Sequence, residues 1–333
     1  MNAERFNDYS GNFSALRREL WESPDCSYRD FLKSLKPDYA RVRRDVAFGY
    51  LMIALTLLVC AVLPRLGVPA IVMALLSAVS IGYWIAYLQL FIHEGAHYNL
   101  APDREGSDRF CDRYVAWMVG TTVAAYRKVH FQHHRALGTP EDSEHTYFFP
   151  LNLMFFIKGL LGIRAMEVIF ARKAIVDGTG ATKAKDAPEK AAGPGFNAAL
   201  LLAPLAHGGI VMAAYLAGLW WVALAWLVGV GMIFPFLGAL RQLLEHRDED
   251  AMADTDYFRV PHGAMTRMFR DGAFSSTFGG AGFNRHLLHH WEPQISYTNL
   301  PEYEAFLENT HARPILEQRR TTYGSTFLKL LSI

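Results

Sequence analysis

Three short stretches hold residue types able to do chemistry together. His93-Glu94-Gly95-Ala96-His97 follows directly on a long apolar run, and His130-Phe131-Gln132-His133-His134 and His286-Leu287-Leu288-His289-His290 answer it downstream. Eight of the chain's 13 histidines fall in these three boxes. His93 and His97 stand four positions apart, so on a helix they share a face. His130, His133 and His134 fall at i, i+3 and i+4, within about 100° of arc on a helix, and His286, His289 and His290 repeat that spacing. Each box is thus expected to aim its imidazoles at a shared point. Imidazole is a ligand for iron, zinc, copper and nickel. Eight convergent imidazoles exceed the four ligands of a tetrahedral site, so two metal ions are the natural count.

Other residues fall into place around the boxes. His246 ends an apolar stretch in Arg241-Gln242-Leu243-Leu244-Glu245-His246, on the same side as the boxes, and is a further candidate ligand. His207, His262 and His311 read as satisfied core or surface residues, and His145, close after the second box, as an exposed residue or, alternatively, a support to one of the ligand rings. The carboxylates Glu94, Asp142, Glu245 and Glu292 are candidates to orient imidazoles through their second N–H. His93-Glu94-Gly95-Ala96-His97 also fits the helical zinc-protease pattern, two histidine ligands with a glutamate base. A protease needs one further ligand and a bound water, which would leave the other two boxes without a role. A cation transporter would place polar ligands within its spans, where only His207 lies.

The elements that hold the boxes belong to a membrane protein. Hydrophobic residues make up 51% of the 333 and charged residues 20%, with a mean hydropathy of +0.08. A net charge of +1 gives no electrostatic case for a nucleic-acid partner. Cys26, Cys60 and Cys111 have no paired spacing, so they form neither a disulfide framework nor a thiolate metal site. The polar opening 44 residues contain no early apolar run, which argues against a cleaved signal peptide and for an uncleaved anchor. Four spans are expected, over about 46–63, 69–92, 196–216 and 219–240, each near the length a core of about 30 Å requires. The last two form an antiparallel pair, and Pro235 should kink the fourth. Residues 147–163 are apolar but interrupted by Pro150, Asn152 and Lys158, so they should lie in the interface without crossing. Residues 177–195 read as a flexible solvent loop. Two spans then separate the second box from the third, which puts all three on one side. Arg41, Arg43, Arg44, Arg241 and Arg247 flank that side, and by the positive-inside rule it is cytoplasmic.

With these residues in view, the chain resembles the membrane fatty acid desaturase family over roughly residues 45–305. The resemblance rests on the three boxes and their separation, on His134-Arg135-Ala136-Leu137-Gly138-Thr139-Pro140-Glu141-Asp142, and on Asn284-Arg285 and Trp291-Glu292-Pro293 around the third box. Arg241 through His246 is similar to a fourth signature that supplies an extra ligand. The resemblance implies an all-α integral membrane fold: four transmembrane helices under a cytosolic helical cap that holds a histidine-ligated di-iron centre. The expected layout is a lead-in over 1–45, the membrane domain over 46–305 and a tail over 306–333. It further implies O2 as cosubstrate, two electrons per turnover, and a hydrophobic substrate such as a fatty acyl chain, with desaturation expected and hydroxylation or carotenoid or alkane oxygenation as the alternative. A strong, unpolarised C–H bond offers nothing to acid–base catalysis, so the metal must perform the chemistry. The chain carries no His-Pro-Gly-Gly haem segment and no cysteine cluster. Electrons are therefore expected from a separate protein of the ferredoxin or cytochrome b5 type, with Arg104, Arg109, Arg113, Arg127 and Lys128 as a candidate docking patch.

Overall fold

The computed structural model describes residues 9–22, 27–164, 166, 167, 170 and 198–331. Cys26, the loop expected over 177–195 and the first residues of the span expected from 196 lie outside them.

Two short helices, α1 (Tyr9–Glu22) and α2 (Tyr28–Ser34), precede two long ones, α3 (Tyr39–Val62) and α4 (Ala70–Ala96). Asp38 starts α3 by accepting from the Arg41 amide at 2.8 Å, satisfying a donor that has no partner within the helix. A 3-10 turn over Leu63–Leu66 ends on Gly67, whose φ of 97° suits a residue without a Cβ. Thr56 and Ser80 hydroxyls meet at 2.8 Å between the two helices. Leu51, Leu55 and Leu58 on α3 and Leu75, Leu76 and Val79 on α4 face outward, as apolar residues can where the solvent is lipid. Towards its C-terminal end α4 becomes wholly enclosed, with every residue from Leu90 to His97 buried.

Helices α5 (Arg104–Tyr114) and α6 (Val123–Ala136) follow α4 directly. Helix α7 (Leu153–Leu160) is eight residues long, about 12 Å, too short to cross a bilayer. Leu153, Met154 and Ile157 are exposed on it while Phe155 is buried. Helix α8 (Ala198–Leu216) leads into α9 (Trp220–Val228) and α10 (Phe234–His246), which a five-residue π-helical segment, Gly229–Ile233, joins into one run.

Among the described residues three helices, Tyr39–Leu66, Ala70–Ala96 and Trp220–His246, are long and apolar enough to cross a membrane. The apolar stretch Leu201–Leu216 is shorter, so four spans are not established by length and composition. The irregularity expected at Pro235 falls just before it. Pro235 stands in the first turn of α10, and the Phe234 amide reaches back to the Gly229 carbonyl, widening the helix ahead of the proline. The widened segment packs against α4 at a close crossing. A Cβ on Gly82 would come within 2.6 Å of Ile233, and one on Gly229 within 2.9 Å of the Ala78 carbonyl oxygen.

The remaining chain forms a cap of short helices, α11 (Ala273–Phe278), α12 (His286–Trp291), α13 (Leu300–Leu307), α14 (Arg313–Arg319) and α15 (Tyr323–Leu331). A two-residue parallel pair, Met268–Phe269 with Arg320–Thr321, ties the C-terminal segment to it. The lead-in packs on the same cap: Phe13 of α1 stacks on Trp291 at 4.6 Å and Phe31 of α2 on Phe306 at 4.1 Å. Tyr297 from the cap donates to Asp45 on α3 at 2.8 Å. The start of α3 and the ends of α4 and α10 therefore meet the cap at one end of the long helices.

Candidate metal centre

All nine predicted ligand histidines converge, and they do so in two groups. His93, His97, His130, His134 and His289 form one; His133, His246, His286 and His290 form the other. Within each group the candidate ligand atoms lie no more than 4.8 Å apart. The single aiming point expected of each box is corrected by the helix geometry. On α6 the i and i+4 imidazoles, His130 and His134, enter the first group and the i+3 imidazole, His133, enters the second. On α12 the assignment is exchanged: His286 and His290 enter the second group and His289 the first. The arc of about 100° is wide enough to straddle two points.

The donor sets fit metal ions. In the first group Nε2 of His130 lies 2.9 Å from that of His97 and 3.0 Å from that of His134, which in turn lies 3.1 Å from that of His289. In the second, Nε2 of His286 lies 2.9 Å from that of His246 and 3.2 Å from that of His290. Each ring nitrogen offers either one proton or one in-plane lone pair, so shared protons cannot satisfy a chain of three such contacts. Nitrogens at right angles around a metal, each about 2.0–2.1 Å from it, lie about 2.9 Å apart. Nε2 of His93, fully enclosed, has no hydrogen-bond partner among the described residues. Burial holds His130, His134, His286, His289 and His290 well below their usual pKa, reinforced by the neighbouring imidazoles. Burial, with the Arg127 guanidinium, brings His97 to about 3. Neutral imidazoles are the form that ligates.

Main-chain and carboxylate acceptors fix some of the rings. Asp142 lies 2.8 and 3.0 Å from Nδ1 of His133 through its two oxygens, and the Met265 carbonyl accepts from Nδ1 of His246 at 2.8 Å. In each ring the proton is held at Nδ1, which leaves the Nε2 lone pair free. Tyr147 donates its hydroxyl to Asp142. Glu94 lies 3.6 Å from Nδ1 of His93 and accepts from the Tyr297 amide at 3.0 Å. Glu245 pairs with Arg241 at 2.6 Å and reaches within 4.0 Å of His286. Glu292 turns to the lead-in, accepting from Tyr28 at 2.9 Å and pairing with Arg17 at 2.7 Å, and so orients those helices.

Glu144 is the acidic residue that reading the sequence missed. It lies 3.7 Å from Nδ1 of His130 and accepts from Tyr126 at 3.2 Å and Gln242 at 2.7 Å. Its only signal was a place two residues after Asp142. Arg127 leaves the expected docking patch. Its guanidinium donates to the Ala96 and Gly95 carbonyls at 2.8 and 3.0 Å, pairs with Asp108 and lies 3.8 Å from the centre of the Tyr98 ring. It thus closes the end of the helix carrying the first box from the helix carrying the second. His207 accepts from Trp226 at 3.2 Å and donates to the Met118 carbonyl at 2.8 Å, a satisfied packing histidine. His262 is buried and donates to the Gly263 carbonyl at 3.0 Å; His311 is exposed. His145 is half-buried against Phe258 rather than exposed.

Compared with the curated proteins, the chain finds no match. The model of the family described as fatty acid desaturase matches residues 69–325, a stretch that holds every histidine of both groups, and the chain belongs to that family.

Proposed function

We propose that the chain is a membrane-bound non-haem di-iron oxidoreductase that uses O2 and two electrons to desaturate a fatty acyl or related lipid chain. The observation that carries this reading is the division of nine imidazoles into two buried groups at the end of apolar helices. Bound iron would supply the oxidising power that an unactivated C–H bond requires. The chain's own residues do the rest. His93, His97, His130, His134 and His289 would hold one ion, and His133, His246, His286 and His290 the other. Asp142 and the Met265 carbonyl keep the protons of His133 and His246 away from the metal. Phe283, packed 4.4 Å from the His93 ring and 4.9 Å from the His286 ring, keeps water from that flank, with the Arg241 guanidinium 3.9 Å from its ring centre.

The protease alternative loses ground on the same geometry. His93 and His97 share their group with three further imidazoles, and Glu94 is buried and engaged with the Tyr297 amide. We place the metal centre on the cytoplasmic side, on the charges of Arg41, Arg43 and Arg44 at the start of α3. Arg247 adds little to that count, because it is buried and donates to the carbonyls of Tyr147, Phe148, Ala251 and Met252. Helix α8 is the fourth crossing in this reading, and a separate ferredoxin or cytochrome b5 type protein delivers the electrons.

The test is metal stoichiometry on protein purified in mild detergent from iron-replete cells, followed by lipid profiling. About two irons per chain, with new double bonds in the host's lipids, would support the reading. New hydroxyl groups in place of double bonds would reassign the reaction on the same centre. One zinc, no iron and no change in lipids would overturn it.

A further inference from the structure

From Thr146 to Gly162 the chain meets successive turns of α10 and of the π-helical segment before it, each further from the metal centre. The Thr146 amide donates to Gln242 at 3.2 Å, the Phe156 ring lies 5.6 Å from that of Phe236, and a Cβ on Gly162 would come within 3.3 Å of the Gly231 carbonyl oxygen. A Cβ on Gly159 would come within 2.7 Å of the Phe236 ring, so the missing side chain lets α7 press against α10. From Gln242 to Gly231 is roughly 16 Å of helix, about half of a hydrocarbon core of about 30 Å. A helix lying flat in the interface would meet α10 at a single level. Helix α7 instead runs antiparallel to α10, towards the middle of the membrane-length run.

At Gly162, whose φ of 72° suits glycine, the chain turns back. Arg164 beyond it is buried, and its guanidinium lies 3.6 Å from the centre of the Phe149 ring, a residue that precedes α7. The charge is thus carried back towards the metal-side end, as a long cationic side chain does in lipid. Glu167 accepts from Arg164 at 2.8 Å and from Lys158 at 3.1 Å, so the ionic groups of the turn pair with one another. In lipid a backbone amide needs a partner within the protein. Leu161 donates to the Ile157 carbonyl at 3.0 Å, and Gly162 to that of Gly159 and Met166 to that of Gly162 at 3.1 Å. The outer face holds only apolar groups: Leu153, Met154, Ile157 and Leu161 fall within about 100° of arc and are 42–75% exposed, while Phe155 and Gly159 opposite are buried.

We propose that α7 and the turn at Gly162 form a re-entrant hairpin, which enters and leaves the bilayer by the metal-side face and presents Leu153, Met154, Ile157 and Leu161 to the acyl chains of that leaflet. Lipid is the occupant because this face continues the flank of a membrane-length helix. Returning to the face it left, the hairpin adds no crossing between the second box and the third. The inference rests on the α9–α10 run crossing the bilayer and not on the reaction.

The test is a depth measurement on the full chain in lipid nanodiscs. A nitroxide is attached to Leu153→Cys, Ile157→Cys or Leu161→Cys in a Cys26→Ser background, and its relaxation by dissolved O2 is compared with that by a water-soluble nickel chelate. Cys60 and Cys111 are buried and should stay unlabelled, which the background chain checks. Leu227→Cys, on the exposed flank of α9, is the lipid reference. Depth should increase from 153 to 157 to 161, by up to about 6 Å at each step, with position 161 approaching the reference. Equal depths at the three positions, or nickel prevailing at 161 while O2 prevails at 227, would overturn the hairpin alone. Nickel prevailing at 227 as well would remove the crossing run and the hairpin with it. A second measurement needs no substitution: the unaltered chain is photolabelled with phosphatidylcholine bearing a diazirine at mid-chain or at the headgroup. Residues 157–163 should take label from the mid-chain probe; label from the headgroup probe alone would overturn the proposal.

Discussion

Asp142 and His133 are both buried and meet at 2.8 Å, carboxylate to Nδ1, and through them a loop is tied to a ring of the second histidine group. Asp142→Asn keeps the shape but gives up the negative charge that stabilises the Nδ1 proton. Loss of such a partner weakens metal affinity by about 10–100-fold. Competition with a chelator of known affinity, monitored by residual bound metal, should show that loss, while Asp271→Asn at the surface should not.

Two histidines in membrane-length or neighbouring apolar helices should behave in opposite ways. His246→Ala takes one of four nitrogens from the second group and should lower metal content and lipid-oxidising activity together. His207→Ala should leave metal content unchanged, since its ring is spent on Trp226 and Met118. Its cost appears as stability, about 1–3 kcal/mol for the polar groups left without a partner, read as a lower unfolding temperature in detergent.

The close crossing of α4 and the π-helical segment makes a packing prediction. Gly82→Val forces side-chain atoms against Ile233 and the Gly229 carbonyl, where even a Cβ would come within 2.6 Å and 2.8 Å. Overpacking costs about 1–3 kcal/mol, and more where backbone must move. Thermal unfolding should show the loss. Gly208→Val, on α8 with open space around it, should show little.

The metal-free protein should lose stability as the pH falls. Burial depresses His262 from 6.5 to about 4 and His97 from 6.5 to about 3. The unfolded chain takes up protons that the folded chain refuses, so the stabilisation is present above pH 6.5 and declines from there towards those values. Unfolding of chelator-treated protein across that window should show a falling midpoint. Metal-loaded protein should hold its midpoint further down the scale before protons displace the metal.

The clustering of the nine histidines was legible in the sequence because their spacing follows helix geometry and their number exceeds what packing or surface exposure would account for. The sequence did not show how they divide. His130 and His133 lie within the same arc of α6, and only the positions of α4, α10 and α12 decide which faces which group. Glu144 and Glu292 show the same limit for carboxylates. One sits two residues from Asp142 and lies 3.7 Å from Nδ1 of His130; the other follows the third box directly and turns away to Tyr28 and Arg17. Arg127 looked like a surface charge because nothing local reveals that the end of α4 lies beside it. Pro235 marks the disturbed helix in the sequence but leaves the turn that absorbs it, Gly229–Ile233, unspecified.

The exchange between α6 and α12 bears on how the centre assembles. Each of these helices contributes to both groups, so an ion held in either one would anchor both helices in the positions a second ion needs. The ordering cost is met by the first arrival, and the second meets a prepared site. Uptake should therefore be cooperative, with a sigmoidal loading curve and few half-filled molecules, and one ion withdrawn should hasten departure of the other.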